Sequence, residues 1–207
     1  MNPEKIYLFL YTKVFALVGF PIMAWLWYQK YGAAFAALVM GLPLLFGYIA
    51  PGIGTNILKM WGFRDSWVVG KYFIHHGFIY ASGFSLALYL GFIPTQKGSV
   101  WAIVANIACV TGIIGFAGWW HDLIAIRQGM MEVYNKAWKR GAEPEVIVTQ
   151  YAPLCFALIG MVYTGMAFLG YETIVRQGNL NALWWLFPLG LALLTLVTAA
   201  PLLNKDY

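Results

Sequence analysis

The stretch VWAIVANIACVTGIIGFAGWW, residues 100–120, carries no charged side chain. Its length is close to the roughly 20 apolar residues that a helix needs to cross about 30 Å of hydrocarbon. Five further stretches share this character, at about residues 6–28, 33–51, 72–93, 150–170 and 182–203. All six are continuous, whereas a membrane β-barrel would show alternating segments of about 10 residues. The sequence therefore predicts an all-α, polytopic bundle of six transmembrane helices.

The composition supports this fold class. The chain has 207 residues, of which 61% are hydrophobic and 10% are charged, against roughly 45–50% and about 25% in soluble domains. The first apolar stretch is too long for a signal-peptide core and is followed by no small-x-small cleavage pattern before Gln29, so we expect it to be a retained span. We predict one membrane domain over residues 1–207.

The basic residues predict the orientation of the six spans. Ten of the 13 lysines and arginines fall on one side of the predicted topology, namely Lys5, Lys13, Lys59, Arg64, Lys71, Arg127, Lys136, Lys139, Arg140 and Lys205. Only Lys30, Lys97 and Arg176 fall on the other side. The positive-inside rule places both termini and the long loops in the cytoplasm. Lys13 lies inside the first span, and we expect its stem to reach back toward the near interface.

This distribution of charge also bears on location and partners. We expect a multi-pass protein of a cell membrane, specifically a bacterial inner membrane, whose partners are membrane lipids and other membrane subunits. The positive surplus is accounted for by membrane orientation, so no nucleic-acid partner is predicted.

The loop that follows residue 120 lacks a helix breaker other than Gly129 until Gly141 is reached. We therefore expect the fourth helix to extend into the cytoplasm to about residue 140. On such a helix, His121 and Glu132 would share one face, because eleven residues are close to three turns.

All three histidines fall at the cytoplasmic ends of the third and fourth predicted spans. His75 and His76 begin the third span, and His121 follows the fourth, next to Asp122. Ionisable residues at this depth are costly, so they mark a candidate site. Adjacent residues on a helix point about 100° apart, so at most one of His75 and His76 should face His121.

A histidine and a carboxylate can perform acid–base chemistry near neutral pH. Our leading hypothesis is a small membrane-embedded enzyme that acts on a lipid-like or amphiphilic substrate at the cytoplasmic leaflet. The candidate catalytic residues are His76, His121, Asp122, Glu132 and His75. A single zinc ion held by one of the adjacent histidines, His121 and a carboxylate would assist the same chemistry.

Three other interpretations stay open at this stage. Haem b could be bound between His121 and either His75 or His76, in an electron-transfer or non-catalytic subunit of a membrane complex. The histidines could instead be ordinary interfacial residues, with a nearby carboxylate paired to Arg127. A small-solute transporter is the third alternative, although Asn106, Thr111 and Thr164 are the main polar residues in mid-span. No motif in the chain names a reaction.

Overall fold

The computed structural model describes residues 2–94 and 99–199 and is mostly helical. In chain order, its helices are α1 (Pro3–Tyr31), α2 (Ala33–Ile57), α3 (His76–Gly91), α4 (Val100–Arg127), α5 (Lys136–Lys139), α6 (Pro144–Thr149), α7 (Ala152–Gly170) and α8 (Leu183–Thr198). The π-helical segment Tyr171–Arg176 continues α7, and the 3₁₀ turn Leu180–Ala182 leads into α8. The short strands are β1 (Trp61–Phe63), β2 (Val68–Val69), β3 (Tyr72–Phe73) and β4 (Met131–Val133).

Five helical segments of the described chain are long and apolar enough to cross a membrane. They are Pro3–Tyr31, Ala33–Ile57, Val100–Arg127, Pro144–Arg176 and Leu180–Thr198. This agrees with the expected all-α bundle and is compatible with a multi-pass membrane protein. The predicted sixth span continued to residue 203, and its last four residues lie outside the described part of the chain.

The third predicted span, over residues 72–93, is shorter than expected at both ends. Helix α3 has 16 residues, which at 1.5 Å per residue is about 24 Å. Tyr72 and Phe73 form β3 instead, which pairs with β2 across a turn at Gly70, where φ is 65°. At the other end, Phe92 has an extended backbone two residues before Pro94. Within residues 2–94 and 99–199, five helices therefore reach spanning length.

Helix α4 ends at Arg127, so the expected extension to about residue 140 is wrong. The amide of Met130 donates to the carbonyl of Ala125, and that of Gly129 donates to Ile126. With φ of 68° at Gly129, this is the Schellman ending that glycine favours. The single glycine was thus sufficient to stop the helix, and the following residues form β4 and α5.

The middle of α1 is a π-helix, over Leu10–Gly19. Its wider turn accompanies two extra hydrogen bonds to its carbonyl oxygens from outside the helix. Nε2 of His75 donates to the Thr12 carbonyl at 2.7 Å, and the Ser82 hydroxyl donates to that of Ala16 at 3.0 Å. These bonds fix α1 against the start and the first turns of α3.

The apolar interior consists of a large cluster in the bundle and a second cluster at one end. The large cluster lies among α1, α2, α3, α4, α7 and α8 and includes the fully buried Trp27, Phe35 and Tyr163. The second cluster gathers the end of α4 with β4, α5 and α6. Strand β1 pairs antiparallel with β4, with Gly62 opposite Glu132. These strands cover the end of the bundle at which the histidines lie.

Candidate functional site

A cavity lies where α2, α3, α4 and α7 meet strands β1 and β4. Its interior volume is about 120 Å³, and about 1130 Å³ when its open mouth and the gaps between lining side chains are included. The walls are mainly apolar and aromatic. The polar and ionisable side chains on them include Tyr11, His76, Tyr80, His121, Asp122 and Tyr151. A largely apolar pocket with a few converging polar groups is the usual form of a small-molecule site.

His76 is the first residue of α3 and is 4% exposed. Rings of Phe63 and Tyr80 lie with their centroids 5.2 Å from the imidazole, and those of Phe73 and Tyr72 lie at 6.0 and 6.2 Å. Its Nδ1 atom is buried and has no hydrogen-bond partner among the described residues. A buried polar nitrogen without a partner costs stability. Nδ1 of His75 is also buried without a partner among the described residues, but only His76 of the two lines the cavity.

His121 and Asp122 come from the last two turns of α4 and both line the cavity. Nδ1 of His121 is 3.4 Å from the hydroxyl of Tyr7, and the ring of Tyr11 lies 4.8 Å from the imidazole. Asp122 is 6% exposed, and its Oδ2 accepts a hydrogen bond of 2.7 Å from the hydroxyl of Tyr151. The carboxyl group is therefore held in a fixed orientation from the side of α7.

The structure thus places His76, His121 and Asp122 on one cavity wall, from two different helices. The expected pairing of a carboxylate with Arg127 does not involve Asp122. Arg127 instead forms ion pairs with Glu4, at 3.6 Å, and with Glu145. Asp122 is left with a neutral phenol as its partner inside the protein.

His75 is turned away from the cavity. Its Nε2 donates to the carbonyl of Thr12, so this nitrogen carries the proton. The rings of Trp67 and Phe73 lie 5.6 and 5.4 Å from the imidazole. Burial lowers the pKa of His75 from its ordinary value of 6.5, which agrees with a neutral ring that bonds a carbonyl. This arrangement suits a structural residue.

Lys13 lies beside this histidine and pairs with the loop before α3. Its Nζ is 2.9 Å from Oδ1 of Asp65 and 5.1 Å from the centre of the Trp67 ring. Burial would raise the pKa of Asp65, but hydrogen bonds from Lys13 and from the Trp67 amide outweigh it, so the pKa is lowered from 3.8. We call Thr12, Lys13, Asp65, Trp67 and His75 the α1 clamp, because together they fix α1 to the loop before α3.

Glu132 lies outside the cavity, and the expectation that it shares a helical face with His121 is wrong. It belongs to β4, where its neighbours Met131 and Val133 line the cavity. Alternate residues of a strand point to opposite faces, so Glu132 points away. Its carboxylate accepts hydrogen bonds from Arg64, at 2.6 Å, and from the Tyr134 hydroxyl, at 3.2 Å.

The tyrosines around the cavity were missed by sequence reasoning. Tyr7 and Tyr11 are four residues apart and stack along one face of α1 with ring centres 5.9 Å apart. This spacing is visible in the sequence, but it does not show which helix the face contacts. Tyr151 is brought to Asp122 only by the packing of α7 on α4, so no local pattern indicates the pair.

The predicted zinc alternative lacks a ligand set in the described residues. No three histidine, cysteine or carboxylate side chains lie close enough together there to hold one ion. The two cysteines, Cys109 and Cys155, are separate and unbridged.

The structure is a mostly helical bundle, compatible with a multi-pass membrane protein, that has ionisable side chains on the walls of a largely apolar cavity. Comparison with protein-family models, with curated proteins and with solved structures gave no match to this chain.

Proposed function

We propose that the chain crosses the membrane six times, with α3 as the short third crossing and both termini in the cytoplasm. The support is the distribution of basic residues in the sequence, ten against three, between the two sides of the predicted topology. A bacterial inner membrane is the expected location. The cavity with His76, His121 and Asp122 then opens near the cytoplasmic leaflet.

The topology is tested by labelling single cysteines in intact cells. In a Cys109→Ala, Cys155→Ala background, Gln29→Cys and Lys139→Cys place one thiol at each end of the bundle. A membrane-impermeant maleimide should label the first from outside and the second only after the cells are opened. The reverse pattern would overturn the orientation, and equal labelling of both would overturn the crossing of the intervening helices.

We propose further that the protein is an enzyme that acts on a lipid-like or amphiphilic substrate. The observation that carries this proposal is the placement of His76, His121 and Asp122 on the wall of one largely apolar cavity. An engineered cavity of about 150 Å³ binds benzene, so an interior of about 120 Å³ admits one ring or a short length of chain. The remainder of a larger amphiphile would extend through the mouth.

In this proposal, the aromatic walls bind the apolar part of the substrate and the ionisable residues act on its polar end. His121 transfers a proton to or from the reacting atom, since an imidazole carries one ring nitrogen that donates and one that accepts. Asp122, oriented by Tyr151, stabilises positive charge that develops on the imidazole or on the substrate. His76, which lines the same cavity from α3, is the second proton donor or acceptor.

The proposal is tested with lipid extracts of cells that lack the native gene and carry wild-type or variant protein. We expect at least one lipid species to differ between wild type and His121→Asn, because general acid–base catalysis contributes about 10²–10⁴-fold to a rate. Tyr163→Phe is the control, since this buried tyrosine bonds the Val39 carbonyl away from the cavity. Identical extracts from wild type, His121→Asn and His76→Asn, each inserted and stable, would overturn the enzyme proposal.

Binding of haem b by His76 and His121 is the second candidate, favoured because both histidines line one cavity. His75 is not available for this role, because its Nε2 bonds the Thr12 carbonyl. The fit is poor, since four aromatic rings lie within 6.2 Å of the His76 ring and would have to move for a macrocycle. A Soret band in protein purified from haem-supplemented cells, lost in His121→Asn, would favour this candidate over the enzyme.

Of the three mid-span polar residues considered for a transporter, Asn106 and Thr164 have hydrogen-bond partners, whereas the buried hydroxyl of Thr111 has none among the described residues. The Asn106 side chain bonds the amide of Ile93 and the carbonyl of Ala102. The Thr164 hydroxyl bonds the Gly160 carbonyl at 2.7 Å. These groups are used in helix packing and backbone hydrogen bonds rather than in a polar path.

A further inference from the structure

The contact between α1 and α4 brings Tyr7 to His121 at the edge of the cavity. The Tyr7 hydroxyl is 3.4 Å from Nδ1 of His121, and the two rings meet edge to face with centroids 6.0 Å apart. Tyr7 is half-buried, so part of its side chain remains accessible from outside the cavity. It therefore lies between the imidazole and the protein surface.

The contact between α1 and α4 stays polar from His121 to the start of α1 and the end of α4. Gln128 lies seven residues after His121, which is about two turns along the same face. Its Nε2 donates to Oε2 of Glu4, which lies one turn before Tyr7 on α1. Arg127 pairs with the same Glu4 at 3.6 Å. A row of polar groups thus leads from His121 past Tyr7 to a charged cluster at the surface.

We propose that Tyr7 is a positioning residue that donates its hydroxyl hydrogen to Nδ1 of His121 and thereby keeps the imidazole proton on Nε2. Nε2, the ring nitrogen that remains for the cavity, is then a hydrogen-bond donor. This inference rests on the proposed acid–base function of His121. In the same proposal, Tyr7 passes protons between His121 and the solvent.

The proton transfers balance in two half-steps. In the first, Nε2 gives its proton to a substrate atom, Nδ1 takes the hydroxyl proton of Tyr7, and the tyrosine oxygen takes a proton from water at its exposed edge. In the second, Nε2 takes a proton from another substrate atom, Nδ1 returns its proton to the tyrosine oxygen, and the tyrosine releases one to water. Both residues end as they began. The substrate has gained a proton at one atom and lost one at another, as in the migration of a double bond.

The tautomer can be measured without knowing the substrate. The chain has three histidines, so protein labelled with ¹⁵N-histidine should give three ring patterns, assigned with His→Asn variants. In the wild type, His121 should show a protonated Nε2 and an unprotonated Nδ1. In Tyr7→Phe, we expect a measurable fraction with the proton on Nδ1, while His75 stays protonated on Nε2 through its bond to Thr12.

The control is Tyr11→Phe, which keeps the ring beside His121 and removes a hydroxyl that forms no bond to the imidazole in the structure. It should leave the His121 tautomer unchanged. A wild-type His121 protonated on Nδ1, or an unmoved pattern in Tyr7→Phe, would overturn the inference. The wild-type spectrum alone is decisive if Tyr7→Phe does not fold.

Lipid extracts separate this inference from the proposed function. If His121→Asn loses the lipid species while Tyr7→Phe keeps it and shows the wild-type tautomer, the role of Tyr7 is wrong and the enzyme proposal stands. If the tautomer shifts in Tyr7→Phe but His121→Asn keeps the species, the enzyme proposal is wrong and the proton connection falls with it.

Discussion

His75 and His76 are adjacent in the chain, yet they belong to two regions with different physical character. In the α1 clamp, Nε2 of His75 donates to a backbone carbonyl and the ring lies next to an ion pair, while its buried Nδ1 has no partner among the described residues. In the cavity, His76 has a buried nitrogen without a partner in the described chain, and Asp122 is bonded to one phenol. The comparison teaches that burial alone does not mark a functional histidine. The two histidines differ in their surroundings: His75 bonds the Thr12 carbonyl beside the Lys13–Asp65 ion pair, whereas His76 lines the cavity.

The largest effect on stability is expected in the clamp. His75→Ala removes the hydrogen bond to Thr12 and the packing of a buried ring against Trp67 and Phe73. We expect a loss of about 3 kcal/mol in the free energy of unfolding, measured by thermal or denaturant unfolding in detergent. His121→Asn serves as the reference on the cavity side. Equal stability of His75→Ala and wild type would remove the distinction between the two regions.

The next largest effect on stability is expected at two buried tyrosines. Tyr151→Phe and Tyr163→Phe each remove a hydroxyl that donates a hydrogen bond of 2.7 Å, to Asp122 and to the Val39 carbonyl respectively. Each should cost about 1–2 kcal/mol in stability, since a buried acceptor loses its partner.

Only Tyr151→Phe should also change the lipid species that depends on His121, because only Tyr151 orients Asp122. The lipid extracts of the two variants would be compared at matched protein level. A change in the Tyr163→Phe extract of the same size would indicate that the effect comes from stability and not from the site.

Acidification should lower the stability that the α1 clamp contributes, in two steps. Each loss should be smaller than the losses expected for the tyrosine variants. The pKa of His75 is lowered by burial, so below about pH 6.5 the unfolded chain binds a proton that the folded chain does not. Stability therefore falls as the pH decreases through this range. The pKa of Asp65 is also lowered, so a second loss follows as the pH falls through about 4, where the unfolded carboxylate is protonated first.

Unfolding measured as a function of pH would assign each step. His75→Asn should reduce the first loss, and Asp65→Asn should reduce the second and leave the first in place. If neither variant alters the pH dependence, the acid sensitivity arises outside the clamp.

These regions also show what could be learned from the sequence. Long apolar stretches predict membrane-spanning helices because backbone N–H and C=O groups in a bilayer must be hydrogen-bonded within the segment. Five helices in the described part of the chain are long and apolar enough to cross a membrane. The convergence of His76, His121 and Asp122 followed from their positions at the ends of neighbouring helices. In contrast, the partners Tyr7 and Tyr151 depend on how helices pack, and this information lies in contacts between residues more than 25 positions apart.

The wrong predictions of where α3 begins and where α4 ends had a local cause. Helix ends are set by small backbone preferences, and a positive φ at Gly129 and at Gly70 turned expected helix into turn and strand. Both glycines were visible in the sequence. Without the hydrogen bonds of β1 to β4, however, nothing indicated that the chain would gain from leaving the helix at these points.

The smallest effect is expected for Glu132, the residue that this change of structure moved out of the site. Its ion pair with Arg64 joins a side chain that is 70% exposed to one that is 25% exposed, and exposed pairs contribute about 0–1 kcal/mol. Glu132→Gln keeps the shape of the side chain and should change stability by less than about 1 kcal/mol, with wild-type lipid extracts. Because Met131 and Val133 face the cavity from the same strand, loss of the lipid species in Glu132→Gln at unchanged stability would mean that Glu132 reaches the substrate. Glu132 would then have to be counted among the residues of the site.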